Sequence, residues 1–250
     1  MIEFLSFNLS YGDVALLLLV ALLIGMSKTG IHGTGMAAVP LLALIFGGKL
    51  SSGIMLPILC IADVFAVIYY HRHTKWAHLL KLFPWAAGGV IIGTYVGDSI
   101  NDAVFRIIMG VIIMASLVIM VWQERSKHKN IPEGLWFAAL LGVLGGFTTM
   151  VGNLAGSVMA LYLLTMRLPK NEYIGTAAWF FMILNWFKIP FHVFAWETIS
   201  LDSFLLDLTT IPAVALGAVL GVMVVKKIPE LYYRWFIIVT TALASVLMIF

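Results

Sequence analysis

The feature that most limits how this chain can fold is a series of long apolar stretches separated by short charged segments. A helix needs about 20 apolar residues to cross the hydrocarbon core of a bilayer. Four stretches approach or exceed that length: Leu79–Gly97, Val104–Trp122, Phe204–Val225 and Leu231–Phe250. A fifth, Gly53–Tyr70, carries a single charge, Asp63. The stretches are too long and alternate too little to be barrel strands, so we predict an all-α membrane protein.

Composition points to the same class of protein. Hydrophobic residues make up 62% of the chain and charged residues 11%, whereas a soluble domain carries roughly 25% charged residues. The pI is near 9.0, but the basic residues lie in short clusters between apolar stretches, which is typical of topology control and not of nucleic-acid binding. The single Cys60 can form no intramolecular disulfide. The N-terminus lacks the positive region of a cleaved signal peptide, so the first apolar stretch is expected in the mature protein.

A weak internal similarity relates the two halves of the chain. A proline followed by two glycines at the same spacing occurs in both halves: Pro84, Gly89 and Gly93, then Pro212, Gly217 and Gly221. An arginine, Arg106 or Arg234, then opens the next apolar stretch of each half. We therefore predict a duplication with a first transmembrane repeat over residues 1–124, a second over 125–250, and the join in the charged loop Gln123–Pro132.

A polar, glycine-rich segment interrupts the first apolar stretch of each half. In the first half, Lys28–Gly35 separates Asp13–Ser27 from Met36–Gly47, which have 15 and 12 residues. At about 1.5 Å per residue, neither piece is expected to cross a bilayer alone. Thr148–Gly156 interrupts the second half in the same way. Each pair of pieces is expected to form either one broken span or a re-entrant hairpin, with the exposed backbone surrounded by protein or water.

The distribution of Lys and Arg favours the hairpin. If each interrupted segment enters and leaves on one side and three crossings follow, one face carries most of the basic residues: Arg72, Lys75, Lys81, Arg125, Lys127, Lys129, Arg167, Lys170, Lys226, Lys227 and Arg234. The other face then carries Lys49, Arg106 and most of the acids: Glu3, Asp13, Asp98, Asp102, Glu197, Asp202 and Asp207. Straight spans give no such asymmetry. The positive-inside rule therefore predicts an inverted repeat with both termini outside the cytoplasm.

Three ionisable side chains are predicted at membrane depth: Lys28, Lys188 and Asp63. Such groups cost free energy in hydrocarbon unless they face a partner, a cavity or a substrate. Lysine, hydroxyl and amide donors with almost no acid favour an anion site, and the helices that start near Met36 and Leu154 would add their positive ends. The predicted substrate-binding residues are Lys28, Thr29, His32, Gly33, Thr34, Thr148, Thr149, Asn153, Asn185 and Lys188.

Structural roles compete with these assignments. Lys28 could form an ion pair with Asp63, and Lys188, followed closely by Pro190, which should break its helix, could instead reach the outer interface. His192 suits a satisfied polar role in a helix bundle. The glycines after each proline suit close packing, either between helices or between subunits of a homodimer. Proton coupling through Asp63 or His32 is a further hypothesis.

Other kinds of site lack support in the sequence. His71, Arg72, His73 and His78 have no Cys or carboxylate cluster that would complete a metal site. The chain has no P-loop and no visible nucleophile–base arrangement. For a membrane enzyme, Lys28 and Asp63 offer the one acid–base pair at membrane depth, without a second catalytic group nearby.

Two segments carry a resemblance to a known family. Lys28–Pro40 reads KTGIHGTGMAAVP, and Gly145–Asn153 reads GGFTTMVGN and is followed by Leu168–Thr176, LPKNEYIGT. These segments, in this repeat order over nearly the whole chain, resemble the sulfite exporter TauE/SafE family. The resemblance implies a transporter that exports sulfite, organosulfonates or related sulfur anions without a cofactor. Gly152–Gly156 departs from the consecutive glycines usual there, and the proline expected near Ala160 is missing.

The sequence thus predicts a secondary transporter of a small sulfur-containing anion that works by alternating access. Its partners are the anionic substrate and the lipid bilayer, in a cell (inner) membrane, with no nucleic acid. The alternatives are an anion channel or a carrier for another small organic anion.

Overall fold

A computed structural model of the chain describes residues 2–31, 34–97 and 134–229, with residues 99, 118, 232, 235 and 239. Apart from those single residues, the predicted apolar stretches Val104–Trp122 and Leu231–Phe250 lie outside the described part of the chain, as do Arg106, Arg234 and the join at Gln123–Pro132. The division into repeats at residue 124 therefore stays a prediction.

Helices make up nearly all of the described structure. A short β hairpin precedes them, with strands β1 (Ile2–Phe4) and β2 (Phe7–Leu9). The helices are α1 (Tyr11–Lys28), α2 (Thr34–Phe46), α3 (Gly48–Tyr70), α4 (Trp76–Gly97), α5 (Leu135–Gly152), α6 (Ala155–Thr165), α7 (Lys170–Pro190), α8 (Leu201–Leu208) and α9 (Ile211–Lys227). A short 3-10 turn follows α3 at His71–His73, and α7 continues as a π-helical turn over Phe191–Ala195.

The predicted all-α membrane fold is confirmed. Among the described residues, five helical segments are long and apolar enough to cross a membrane, and the count rises to six with α8 and α9 taken as one bent span. The five are Tyr11–Lys28, Leu50–His73, Trp76–Gly97, Leu135–Gly152 and Lys170–Ala195.

Each interrupted segment folds into a helical hairpin. In the second hairpin, Phe137 near the start of α5 stacks on Tyr162 near the end of α6, with ring centroids 6.2 Å apart. Further along, a Cβ at Gly145 would lie 3.6 Å from Val158 Cγ1. These pairings require α5 and α6 to run antiparallel. In the first hairpin, α2 packs back along α1 through a shared apolar core.

The length of α1 corrects one expectation. Ser10 and Asp13 form a reciprocal cap at its N-terminus, which places the start at Tyr11, and the helix continues to Lys28. With 18 residues, α1 is long enough to cross a bilayer alone. Helix α2 has 13 residues and spans roughly 20 Å, which is too short. How deep each hairpin enters the membrane, and which face is cytoplasmic, stay predictions.

Helices from the two halves of the chain pack against each other in two pairs. Helix α4 packs against α5, and helix α9 packs against α1. A Cβ at Gly89 of α4 would collide with the carbonyl oxygen of Val143 in α5, and a Cβ at Gly217 of α9 would collide with that of Leu22 in α1. Since both glycines lie five residues after the aligned prolines, matching residues of the two halves make matching contacts. Small residues allow such close approach of helix backbones in membranes. These glycines therefore serve helix packing within the chain.

Two helix boundaries differ from the sequence-based expectation. The α-helical part of α7 ends at Pro190, as expected for a proline, but the helical path does not stop there and continues directly into the π-helical turn. Conversely, the predicted span Phe204–Val225 is interrupted at Thr209 and Thr210, where α8 and α9 meet at a 50° bend.

Candidate functional site

A cavity of about 60 Å³ lies where the tips of the two hairpins meet α3 and α7. Polar residues of both tips and of α7 line one part of it: Ser27, Lys28, Thr149, Asn153 and Asn185. Apolar side chains of α3 and α7 line the rest: Met55, Leu59, Ala177, Ala178 and Phe181. The lining of the cavity therefore includes both polar and apolar groups, which suits a small ligand with both characters.

Lys28, the last residue of α1, supplies a charge to the cavity wall. Its Nζ lies 2.8 Å from Oδ1 of Asp63 in α3 and 4.2 Å from the centre of the Phe181 ring. Asp63 is fully buried, and its other oxygen, Oδ2, accepts a hydrogen bond of 2.6 Å from Asn185 Nδ2. The ion pair weighed from the sequence is thus present, and Lys28 still contacts the cavity. The Oδ1 of Asn185 has no hydrogen-bond partner among the described residues.

A second lysine, Lys188 of α7, binds the tip of the second hairpin. Its fully buried Nζ donates to the carbonyl oxygen of Thr149 at 3.0 Å, to Thr149 Oγ1 at 3.0 Å and to Asn153 Oδ1 at 2.6 Å. Three acceptors match the three N–H bonds of an ammonium group. Lys188 therefore points into the protein and does not reach the outer interface.

Asn153 holds the turn between α5 and α6 in place. Its φ of 56° puts it in the left-handed region, which Asn tolerates better than most residues. Its amide nitrogen donates to the carbonyl oxygen of Ser52 in α3 at 3.1 Å, while its amide oxygen accepts from Lys188. The second tip is thus fixed to both α3 and α7.

Each hairpin presents the start of its second helix to the cavity. Gly35, in the first turn of α2, and Gly156, in the first turn of α6, both line it. The residue before α6, Leu154, provides no side-chain cap. First-turn N–H groups without a side-chain acceptor, together with the positive end of the helix dipole, favour a negative charge there.

The formal charges of the ionisable side chains at the cavity and the second hairpin tip sum to a positive value. Two lysines, Lys28 and Lys188, stand against one carboxylate, Asp63, and the described residues provide no further acid in contact with either lysine. In a low-dielectric interior, such an excess is offset by an anionic ligand more effectively than by distant solvent. The described residues also hold no group of three His, Cys, Asp or Glu side chains that could bind a metal ion.

Several residues predicted for the site lie elsewhere. Thr29 is buried against α9, and its hydroxyl donates to the carbonyl oxygens of Gly25 and Ala218 at 3.0 Å. Thr148 is also buried, with its hydroxyl bonded to Gly145 O of its own helix at 3.1 Å. His32 and Gly33 lie outside the described residues, and so does the side chain of Thr34.

The structure adds residues that the sequence analysis did not single out. Ser27 and Phe181 line the cavity, and Ser52 contacts the second tip. An apolar residue such as Phe181 looks like any other core residue in a sequence that is 62% hydrophobic. Ser27 directly precedes Lys28 in the sequence, and this position next to a predicted site residue was the available signal for it.

Comparison with protein families gives one finding. The family model described as "Sulfite exporter TauE/SafE" matches residues 17–248 of the chain. A comparison with curated proteins gives no match. The matched range includes both hairpin tips and every described residue that lines the cavity.

Proposed function

This chain belongs to the sulfite exporter TauE/SafE family, and we propose from that premise that it exports a small sulfur-containing anion, such as sulfite or a short organosulfonate, by alternating access. The cavity between the hairpin tips is the proposed substrate site. Lys28 provides charge, Thr149, Asn153 and Asn185 provide polar contacts, and the first turns of α2 and α6 provide N–H groups. Lys188 acts through Thr149 and Asn153 by holding the second tip.

The observation that carries this proposal is the convergence of Lys28 with two helix N-termini on one cavity. Each of these features attracts a negative charge. A structural ion pair alone would explain Lys28 and Asp63, but it would not explain why Gly35 and Gly156, from different hairpins, face the same space.

The size and lining of the cavity limit the substrate. A volume of about 60 Å³ is a few times the roughly 10–15 Å³ that a cavity needs to hold one water molecule, so a compact anion fits and a nucleotide does not. Met55, Leu59 and Phe181 would accommodate a short apolar group beside the anionic head. These features favour sulfite or an organosulfonate with a short carbon chain.

Alternating access requires the cavity to open to each side in turn. The two hairpins are tied to the helices around them by polar contacts, Lys28 to Asp63 in one case and Asn153 to Ser52 in the other. We propose that one half of the chain rocks against the other, so that each of these two contacts closes the cavity on one side in turn. Protonation of Asp63 would free Lys28 for the anion, which makes Asp63 the proposed coupling group; His32 is a second candidate.

The proposed location is a cell (inner) membrane with both termini outside the cytoplasm. Lys170, Lys226 and Lys227 at the ends of α7 and α9 would then lie on the cytoplasmic face. Reporter fusions at each terminus, one active in the cytoplasm and one active outside it, measure this orientation directly. Activity of the cytoplasmic reporter at either terminus would refute it.

The test of function is binding and transport of a sulfonate panel by the purified protein. A ligand selective for the native state raises its thermal stability, so a subset of the panel should raise the unfolding temperature. In proteoliposomes, Lys28→Met should abolish uptake of the labelled ligand. Because Lys28→Met leaves Asp63 without its partner, the double variant Lys28→Met/Asp63→Asn is included as a form with no unpaired charge.

The matched control is Lys75→Met. Lys75 also forms an ion pair, with Glu172 at 3.0 Å, but its side chain is half-exposed and it is not one of the residues that line the cavity. Its loss should leave uptake unchanged. Uptake retained by both Lys28 variants would remove the site from the mechanism. Conductance far above carrier turnover, without exchange of trapped substrate, would favour the anion channel instead.

A further inference from the structure

Asp207 is a buried carboxylate that the proposed anion site does not use. It lies in the last turn of α8, one residue before the helix ends at Leu208. Its exposed fraction is 0%, and neither Oδ1 nor Oδ2 has a hydrogen-bond partner among the described residues. The sequence places it with the acids of the outer face, where water would solvate it. A carboxylate buried without a partner costs several kcal/mol, so this arrangement calls for a bound counter-charge.

The chain around Asp207 offers oxygen atoms. Helices α8 and α9 are separated by Thr209 and Thr210 and bend by 50°. The hydroxyl of Thr209 donates to Leu206 O at 2.7 Å, and that of Thr210 donates to Asp207 O at 2.6 Å. Because each hydroxyl hydrogen is directed to a carbonyl oxygen, the lone pairs of the hydroxyl oxygens remain available as acceptors.

The charges nearby do not neutralise Asp207. No Lys, Arg or His whose side chain the structure describes forms an ion pair with it; the side chain of Lys49, at the start of α3, lies outside that set. Helix α3 packs against α8, and its described acid, Asp63, is already held by Lys28 and Asn185. On α8 itself the other acid, Asp202, lies in the first turn and is partly exposed. A single carboxylate, with no group of three metal-binding side chains among the described residues, matches a cation of one charge.

We propose that Asp207 forms a binding site for one monovalent cation, sodium or a proton, at the break between α8 and α9. Carboxylate, hydroxyl and carbonyl oxygens are the ligands that hard cations prefer. The C-terminal ends of interrupted membrane helices, with their negative dipole end, favour such ions. The site is separate from the cavity, whose lining residues do not include Asp207.

This site has a direct structural connection to the anion cavity. Helix α9 continues from the break and packs against α1, where Thr29 Oγ1 donates to Ala218 O at 3.0 Å. The next residue back along α1 is Lys28. A cation that changes the bend at Thr209 and Thr210 therefore acts on the helix that positions Lys28. This coupling rests on the proposed function, whereas binding of the cation itself does not.

The test is the unfolding temperature of the full-length protein in NaCl and in choline chloride at equal ionic strength, each at two pH values. The variant is Asp207→Asn. The matched control is Asp202→Asn, which removes the same charge from the other end of the same short helix. A rise of a few degrees in NaCl for wild type and Asp202→Asn, absent in Asp207→Asn, identifies sodium. If lowering the pH in choline chloride raises the unfolding temperature of wild type and Asp202→Asn but not of Asp207→Asn, the cation is a proton. Equal responses of all three proteins would overturn the site.

A second measurement covers the case in which Asp207→Asn does not fold. A carbodiimide that labels buried protonated carboxyl groups is applied to the wild-type protein, and labelled peptides are identified by mass spectrometry. Labelling of Asp207 should fall in NaCl relative to choline chloride, or rise as the pH is lowered. Labelling that is insensitive to both overturns the proposal. Sulfonate-induced stabilisation, measured in the same samples, reports the anion site separately.

Discussion

Asn185 of α7 donates a hydrogen bond of 2.6 Å to the carboxylate of Asp63 in α3, so the helices that follow the two hairpins are joined through their C-terminal halves. The other carboxylate oxygen pairs with Lys28 at 2.8 Å. The buried carboxylate thus accepts a hydrogen bond from a neutral amide at one oxygen and forms an ion pair at the other with a lysine that also lines the cavity. Any change at Asp63 alters both the link between the helices and the charge available to a ligand.

Replacing Asp63 and replacing Lys28 should have opposite effects on anion binding. In Asp63→Asn, Lys28 keeps its charge but loses its counter-ion, so sulfonate binding should tighten. In Lys28→Met, binding should weaken by tenfold or more, or about 1.4 kcal/mol. Both variants should be destabilised, by roughly 3–5 kcal/mol, because each leaves one buried group unpaired. Thermal unfolding and ligand titration measure the two effects separately.

The double variant Lys28→Met/Asp63→Asn provides the control for this pair. It should recover stability relative to Lys28→Met, because no charge is left unpaired, and still fail to bind the sulfonate. If Asp63→Asn weakened binding as much as Lys28→Met, the carboxylate would have to contact the ligand, and the assigned roles would be wrong.

Substitutions of Asn153 test whether the positive formal charge at the site determines anion binding. Asn153→Asp keeps a residue that tolerates the left-handed conformation and gives Lys188 an acidic partner in place of an amide oxygen 2.6 Å away. The variant should fold and lose anion binding. Asn153→Gly keeps the backbone conformation but loses the bonds to Lys188 and Ser52, so it should lose about 1–3 kcal/mol of stability for each polar group left unpaired. Binding retained by Asn153→Asp would contradict the electrostatic account.

The broad architecture could be predicted because lipid imposes simple rules on sequence. Long apolar runs marked the spans, and a polar glycine-rich interruption marked each hairpin, since backbone at that depth must turn within protein. Lys28 and Asp63 could be paired in advance because buried charges in membranes need partners. The pairing of α4 with α5, and of α1 with α9, was not predictable, because it joins residues from opposite halves of the chain.

The composition of the site was harder to predict than its location. Thr148 and Thr149 are adjacent and identical, yet one bonds to its own helix and the other lines the cavity. About 100° of rotation per residue separates them, and the sequence does not state which way the helix faces. The burial of Asp207 was not predictable for a similar reason. The run Phe204–Val225 reads as one apolar stretch, whereas the structure breaks it at Thr209 and Thr210, directly after the part of the helix that holds the buried acid.

Gly88 and Gly89 form a matched pair for testing the packing between the halves. A Cβ at Gly88 would have no atom within 4 Å, whereas a Cβ at Gly89 would collide with the backbone of Val143 and Phe147 in α5. Gly88→Ala should therefore be neutral or stabilising by up to about 1 kcal/mol, since Ala favours helix more than Gly. Gly89→Ala should separate α4 from α5 and lower the unfolding temperature by several degrees. Similar unfolding temperatures for the two variants would mean that these helices do not pack as described.

The charge of the cavity can be measured with thiol reagents of opposite charge. Ser27→Cys places a thiol in the cavity lining, and Cys60, which is buried, is replaced by alanine to remove the native thiol. The measured quantity is the reaction rate of an anionic, sulfonate-bearing methanethiosulfonate divided by that of its cationic analogue. This ratio should be higher at Ser27→Cys than at Ser6→Cys, an exposed position at the turn between β1 and β2. At an effective dielectric constant of about 20, one unit charge roughly 5 Å away contributes about 3 kcal/mol, so a preference of tenfold or more is expected. Adding Lys28→Met should reduce the preference, and a preference for the cationic reagent at Ser27→Cys would show that the cavity does not attract anions.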